Sequence, residues 1–263
     1  MNQPTKLHST PVGKYVYAIV TGTEARTYEV TGIDARPVYS VSDGMVAAVV
    51  SDCSRATIRP ERAHLASHSA LLKRLMLDNT ILPMAFGMIA DDLKAVRTLL
   101  SLNQKAFLGQ LKRVAGKVEM GVRVVWDVPN IFEYFVDTHP ELRAARDRLL
   151  GGNREPRQED KIELGHLFDN ILGEDREAHS QVFEEVLAPC CAEMKRSAVR
   201  NVNEVLILNG LVERPKQKQL EDAVFAAAQQ FDNNYAVDFN GPWAPHNFVD
   251  MELKIRSSKR NSR

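Results

Sequence analysis

The sequence predicts an α+β protein of two domains, because strand-like and helix-like segments are segregated and their balance changes along the chain. Short runs rich in aromatic and β-branched residues recur within residues 13–128, between stretches of helical periodicity. Beyond Pro129 helical stretches dominate, and Gly151-Gly152-Asn153 marks the clearest break. At 263 residues the chain is long enough to bury two hydrophobic cores.

Three strands are predicted to open the first domain, residues 13–128. Residues 14–20 (KYVYAIV) carry the aromatic and β-branched side chains that suit a pleated, half-buried surface. Residues 38–41 and 45–51 flank the turn Ser42-Asp43-Gly44, which indicates a hairpin in which the glycine takes a positive φ.

Two helices and two strands complete the predicted first domain. A helix runs from Pro60 to Asn79, and residues 80–89 (TILPMAFGMI) are apolar on both faces, as in a strand covered twice. A second helix ends at Gly116, before a strand at 118–126, and its apolar stripe is Leu93, Val96, Leu100, Phe107, Leu111 and Val114. The order β-β-β-α-β-α-β favours a ferredoxin-like, split βαβ topology, with the helices covering one face of a mixed sheet.

The second domain, residues 129–250, is predicted to contain a helical hairpin followed by strands. Residues 131–136, 141–150 and 158–196 have helical patterns, Pro189 ends or kinks the last of them, and residues 151–156 form an exposed linker. A strand at 199–208, a helix after Pro215 and a strand at 235–239 follow. Residues 1–12 and the basic residues 251–263 are predicted to be flexible ends.

Composition limits the functional classes that fit. The chain has 34 basic and 34 acidic residues, so no overall field draws it to nucleic acid or anionic lipid. It has no apolar run long enough to cross a bilayer and no signal peptide, and its three cysteines lack the spacing of a redox or zinc site. These features predict a cytoplasmic protein in a reducing compartment.

No catalytic, cofactor-binding or metal-binding residues are predicted. His64 and His68 share one helix face, but two ligands do not make a metal site, and Leu65 stands where a zincin needs glutamate. Cys53 lacks the glycines of a nucleophile elbow, and no glycine-rich phosphate loop is present. An enzyme centred on His64, His68 or Cys53 stays an alternative, as does an RNA-binding module that uses Tyr15 and Tyr17.

Two segments combine rigid backbone positions with large aromatic rings. One, residues 80–87, contains Pro83, Phe86 and Gly87, and it is predicted to be a buried strand end. The other, residues 240–249, forms turns and is predicted to fasten the C-terminal segment to the body of the protein through its key residues Gly241, Pro242, Trp243 and Phe248. Packing explains them only in part, so both are candidate structural or interaction motifs.

The same two segments carry a family resemblance. An opening YVYAIV, a helix containing His68, the strand TILPMAFG and the closing FNGPWAPHNFV resemble the GvpF/GvpL gas vesicle proteins. KVEMGVRVVW at 117–126 and NEVLILNGLVE at 203–213 extend the resemblance over residues 13–249.

The resemblance implies a modified ferredoxin-like N-terminal domain and a C-terminal α+β domain with a coiled-coil element. It implies a non-enzymatic assembly factor or minor structural component of the gas vesicle. The implied partners are the shell protein GvpA and other gas vesicle accessory proteins, with no cofactor, nucleic acid or membrane.

Overall fold

A computed structural model describes residues 13–22, 24–151 and 157–254. The predicted flexible N-terminus, residues 152–156 of the predicted linker and residues 255–263 of the basic tail lie outside the described residues. Gly151, the first linker residue, is exposed as predicted.

The chain divides into two compact units. Unit 1 comprises Met1–Glu119 and Pro242–Arg263, and unit 2 comprises Met120–Gly241. This division differs from the predicted boundary at residues 128 and 129, and above all it assigns the end of the predicted second domain to unit 1. The physical reason lies in the contacts of residues 248–254. The side chain of Phe248 is buried, and the backbone carbonyls of Phe248 and Lys254 accept hydrogen bonds from Arg113 and Asn103 of unit 1.

Unit 1 consists of an antiparallel sheet and two helices. The elements are β1 (Gly13–Thr21), β2 (Thr27–Thr31), β3 (Pro37–Ser42), β4 (Val46–Cys53), α1 (Arg62–Asp78), β5 (Ile81–Pro83), β6 (Ile89–Ala90) and α2 (Leu93–Val114). The sheet order is β2-β3-β4-β1-β5, with β6 also paired to β1, and these pairings are all antiparallel. The expectation of a mixed sheet was therefore wrong for these strands.

The central strand β1 shows why this unit folds as it does. Its residues 14–20 are all buried, which fits a strand covered on both faces. Helices α1 and α2 both contact β1 and β5. Strand β5 lies at the edge of the sheet and ends at Pro83, a position where the missing backbone N–H is tolerated. Helix α2 is confirmed, and the other residues of its predicted stripe are buried, but Leu93 is 36% exposed. Asp92 caps the helix by accepting a hydrogen bond from the Ala95 N–H at 2.7 Å.

Unit 2 combines four strands with four helices. The elements are β7 (Lys117–Trp126), α3 (Ile131–Thr138), α4 (Pro140–Leu150), α5 (Gln158–Leu187), β8 (Glu193–Arg196), β9 (Glu204–Glu213), α6 (Gln217–Ala228) and β10 (Tyr235–Trp243), with sheet order β10-β7-β9-β8. Helices α4 and α5 pack against each other. The predicted helix to residue 196 was too long, because the chain turns at Pro189 and then forms β8.

The core of unit 2 is an aromatic cluster around Trp126. Phe135 lies edge-on to Trp126 at 5.3 Å between ring centroids, and Tyr235 and His179 complete the contact. The Tyr235 hydroxyl and His179 Nε2 are 2.8 Å apart. No helix in the described parts of the chain is both long and apolar enough to cross a bilayer.

Candidate functional site

The two aromatic motifs of the sequence meet at helix α1. Phe86 packs edge-on against His68 of this helix, with 5.7 Å between ring centroids. Five residues further along α1, the Lys73 ammonium lies 3.9 Å from the centroid of the Trp243 ring. Segments separated by more than 150 positions in the sequence therefore contact one helix of unit 1.

The first motif is a strand end followed by a tight turn. Pro83 is buried in β5, as predicted, and the next residue continues the pairing through a Met84 N–H donated to the Tyr17 carbonyl. Gly87 has φ of 87°, a left-handed conformation that favours glycine, and its N–H donates to the Tyr15 hydroxyl at 2.9 Å. Phe86 lies in this turn and is only half-buried, so the prediction that it belongs to a buried strand end was wrong.

Phe86 packs against a buried cluster of Tyr15 and His68, with Tyr17 beside them. Tyr15 and Tyr17 are fully buried, and the Tyr15 hydroxyl lies 3.0 Å from His68 Nδ1. The Tyr15 oxygen also accepts a hydrogen bond from the Gly87 N–H, so Tyr15 connects helix α1 to the Phe86 turn. His68 Nε2 is buried without a hydrogen-bond partner at normal geometry among the described residues.

Tyr15 and His68 of this cluster are both neutral near pH 7. Burial lowers the pKa of His68 to about 4, and the nearby His246 acts in the same direction against a smaller opposing effect of the Met84 backbone. Burial also raises the pKa of Tyr15 to about 12. The cluster therefore packs and orients the Phe86 turn without carrying charge.

His64, the other histidine of α1, is used differently. Its Nδ1 lies 3.1 Å from the Arg59 carbonyl and its Nε2 3.2 Å from an Asp34 carboxylate oxygen. The Arg59 carbonyl, followed by Asp34, raises the pKa of His64. Within the described ranges no three His, Cys, Asp or Glu side chains are grouped to hold a metal ion.

The second motif begins at an exposed bend and ends in the core. Gly241 has φ of 128° and is exposed, as is Pro242. Both belong to strand β10, which extends to Trp243, so the predicted strand end at residue 239 was too early. Trp243 is half-buried beside Lys73, whereas Phe248 is fully buried.

Polar groups of unit 1 hold the backbone that follows Trp243. Buried Glu119 accepts hydrogen bonds from the Asn247 backbone N–H and side-chain amide, at 2.9 and 2.6 Å. Arg113 of α2 donates to the Phe248 carbonyl at 3.1 Å. Buried Asn103 both accepts from the Lys254 N–H and donates to its carbonyl. The C-terminal segment, defined as residues 242–254, is thus fastened to α2 and to the start of β7, as the sequence predicted.

The residues that hold the C-terminal segment were missed in the sequence, although two of them, Asn103 and Glu119, left a signal. Asn103 lies on the apolar stripe of α2, between Leu100 and Phe107, and a polar residue at a stripe position indicates a buried hydrogen bond. Glu119 likewise interrupts an apolar strand. Lys73 lies on an exposed helix face and gave no signal.

The profile of the gas vesicle synthesis protein GvpL/GvpF family matches residues 13–250 of this chain. The chain belongs to the GvpL/GvpF family. The match begins at the first residue of β1 and ends within the C-terminal segment, so it contains both motifs that meet at α1.

Curated members of the GvpL/GvpF family resemble the chain over almost their whole length. Gas vesicle protein F of Streptomyces sp. strain CB03234 is 28% identical over 241 residues, covering 90% of this chain and 99% of that protein. Gas vesicle protein F of Dolichospermum flosaquae is 25% identical over 243 residues, covering 90% and 98%. Gas vesicle protein L1 of Halobacterium salinarum is 22% identical over 256 residues, covering 90% of each.

Two crystal structures of GvpL/GvpF family members share the fold. GvpF from Anabaena sp. PCC7120 aligns with a TM-score of 0.79 at 24% identity, over 92% of this chain and 99% of that one. GvpF from Microcystis aeruginosa aligns with a TM-score of 0.77 at 23% identity, over 91% and 100%. The mixture of helices and sheets described above is therefore the fold of known GvpF proteins. Membership of the GvpL/GvpF family gives the chain a gas vesicle related role.

Proposed function

We propose that this chain is an assembly factor or minor structural component of the gas vesicle that binds the shell protein GvpA and other accessory proteins. The binding surface is the α1 aromatic surface, defined as Phe86, Trp243 and the exposed face of α1 between them. The observation that carries the proposal is the convergence of two half-buried aromatic rings on one helix.

The chemistry of this surface suits an apolar partner. Phe86 and Trp243 are both half-buried, and aromatic side chains are enriched in protein interfaces relative to the rest of the surface. The same helix exposes Leu65 and Leu77, with 42% and 69% of their surface accessible. A shell subunit that assembles into a wall with apolar surface needs such a cover before it joins the growing edge.

The two units fit the architecture that the family resemblance implies. We assign unit 1 to a modified ferredoxin-like domain, supported by its antiparallel sheet and its two helices against β1. We assign unit 2 to an α+β domain in which α4 and α5 form the helical hairpin or coiled-coil element. Both assignments remain proposals about topology.

The RNA-binding alternative loses its main support. Tyr15 and Tyr17 would have to be free to stack on bases, but both are fully buried against His68. The enzyme alternative is not supported at Cys53, because this side chain is buried and its thiol donates a hydrogen bond to the Arg55 carbonyl. We therefore propose a non-enzymatic protein without cofactor, nucleic acid or membrane partners, which acts in the cytoplasm at the gas vesicle.

Capture of the chain on GvpA tests the proposal. Purified wild-type protein and the variants Phe86→Ala and Trp243→Ala are compared for retention on immobilised GvpA and on washed intact vesicles. Phe225→Ala is the matched control, because this phenylalanine is 63% exposed on α6 of unit 2. We expect both α1 surface variants to lose at least about tenfold in retention, as hot-spot aromatics do, and the control to bind normally.

Thermal melts of every variant separate lost binding from lost folding. If folded Phe86→Ala and Trp243→Ala proteins bind GvpA as well as wild type does, the α1 aromatic surface is not the binding site. If the wild-type protein itself fails to bind GvpA under conditions that keep both proteins folded, the proposed partner is wrong.

A further inference from the structure

The neutral net charge of the chain conceals two strongly charged units. Unit 1 contains 20 Lys and Arg against 12 Asp and Glu, a formal charge of +8. Unit 2 contains 14 against 22, a formal charge of −8. Opposite charges of this size on two units of one protein favour association between the basic unit of one copy and the acidic unit of another.

Much of this charge lies on one helix of each unit. Helix α2 carries five basic residues and no acidic residue. Helix α5 carries nine acidic residues and two basic residues, and one of the two, Arg176, donates to the backbone carbonyls of Val202 and Glu204. The charged faces of these two helices are therefore the strongest candidates for contact.

The basic residues of α2 form one exposed row. Lys94, Lys105 and Lys112 are exposed and lie 11 and 7 positions apart, which places them on the same side of a helix with 3.6 residues per turn. None of the three forms an ion pair with another residue in the described part of the chain. Their charges are available to a partner.

Helix α5 presents a row of acids with matching spacing. Glu163 and Glu174 are exposed and 11 positions apart, the separation of Lys94 and Lys105, which corresponds to roughly 16 Å along each helix axis. Glu163 and Glu174 have no ion-pair partner among the described residues.

We infer that copies of this chain associate head to tail, with the basic row of α2 in one copy against the acidic row of α5 in the next. The contact is heterologous, so each copy keeps one free α2 and one free α5, and association continues into a chain or a closed ring. It is separate from GvpA binding, because it uses α2 and α5 rather than the α1 aromatic surface.

Sedimentation velocity of the full chain at two ionic strengths tests this inference. Charges act over about 30 Å at about 0.01 M salt and over about 3 Å at about 1 M salt. We expect species larger than the monomer that grow with protein concentration at low salt, and a monomer at high salt. A monomer at every concentration and both salt levels would overturn the inference.

Charge reversal locates the contact. Lys94→Glu/Lys105→Glu makes the α2 row acidic, and Glu163→Lys/Glu174→Lys makes the α5 row basic. Each variant alone should be a monomer at low salt, and an equimolar mixture should associate again, because the reversed α2 of one now complements the reversed α5 of the other. Circular dichroism verifies that both are folded, and folded variants that do not associate on mixing contradict the assigned rows.

A matched control distinguishes these rows from general charge attraction. Arg36→Glu/Arg62→Glu changes the charge of unit 1 by the same amount at exposed positions outside α2. This control should associate like wild type. If it loses association as fully as the α2 variant does, net charge rather than the α2 row drives the contact, and the assignment fails.

Discussion

Phe86 and Phe248 are aromatic residues of the two sequence motifs, but their surroundings differ. Phe248 is fully buried in unit 1, whereas Phe86 contacts Tyr15 and His68 edge-on and is only half-buried. The sequence predicted that Phe86 belongs to a buried strand end, because proline and glycine around it indicate a fixed backbone and do not indicate how much of the ring is covered.

This difference predicts unequal costs of truncation. Phe248→Ala should lower the free energy of unfolding by about 3–5 kcal/mol, as for a buried phenylalanine, and Phe86→Ala by only about 1–2 kcal/mol. Urea unfolding of both variants checks this order. A Phe86→Ala loss as large as that of Phe248→Ala would show that Phe86 is a core residue and would weaken its assignment to a binding surface.

His68 predicts a dependence of stability on pH. Its pKa is about 4 in the folded protein and near 6.5 when unfolded, so the unfolded state binds more protons between these values. The contribution of His68 to stability is complete above about pH 6.5 and is lost as the pH falls towards about 4.

Urea midpoints at about pH 7.5, which lies above this titration range, and at about pH 5, which lies within it, measure the effect. His68→Phe keeps a ring at the site but cannot be protonated, so its midpoint should fall less than that of wild type between the two values. His64, whose pKa is raised, remains in both proteins and its contribution cancels in the comparison. Equal falls in both proteins would show that His68 does not titrate in this range.

At the scale of elements, α2 has two roles. Its apolar stripe faces the core of unit 1, and Asn103, Gln110 and Arg113 bond the backbone of the C-terminal segment. These side chains bond backbone groups, so the contact depends little on which side chains the C-terminal segment carries. Hydrophobic periodicity therefore predicted the helix but could not predict that the helix also holds this segment.

Asn103→Ala should release the end of the C-terminal segment. The substitution leaves the Lys254 N–H and carbonyl without their partner, at a cost of about 1–3 kcal/mol. Limited trypsin digestion should therefore cut after Lys254 faster in the variant than in wild type. Gln104→Ala, which removes a bond to Asp43 instead, is the control and should leave the rate unchanged. Unchanged cleavage in Asn103→Ala would mean that Asn103 does not hold the segment.

The elements that sequence reasoning found are those with strong periodicity or clear ends, and the ones it missed are short. Helix α2 and the hairpin of β3 and β4 were predicted closely, because an apolar stripe and a Ser-Asp-Gly turn are local signals. Strand β2 was missed, since it is a five-residue edge strand with three exposed positions. The residues of strand β8 were predicted to be the end of a helix, because the strand is defined by its pairing with β9 and local sequence does not indicate such a pairing.

For the whole molecule, the principal surprise is that the chain ends in the unit where it began. The prediction of separate cores on either side of residue 128 implied that changes at Trp243 or Phe248 would spare the N-terminal part. Because both side chains belong to unit 1, they should instead weaken that unit first.

Hydrogen exchange of Phe248→Ala measures which unit responds. Amides of β1, β4 and α2 should exchange faster than in wild type, while those of β9 and α5 keep their protection, since local stability follows local packing. Ser69→Ala, at an exposed position of α1, serves as a reference for a change that is far from the core of this unit. Increased exchange confined to unit 2 would contradict the assignment of Phe248.

Because unit 1 contains residues from both parts of the chain, the order of translation determines when this unit can complete its fold. All of unit 2 must be translated between the two parts of unit 1, which takes roughly 10 s at the usual rate of about 5–20 residues per second. During that interval the nascent first part lacks Phe248, and the site where this ring will insert faces solvent. Unit 1 can therefore close only after residues 242–254 have left the ribosome, and a polypeptide terminated before them would keep this apolar site open to chaperones.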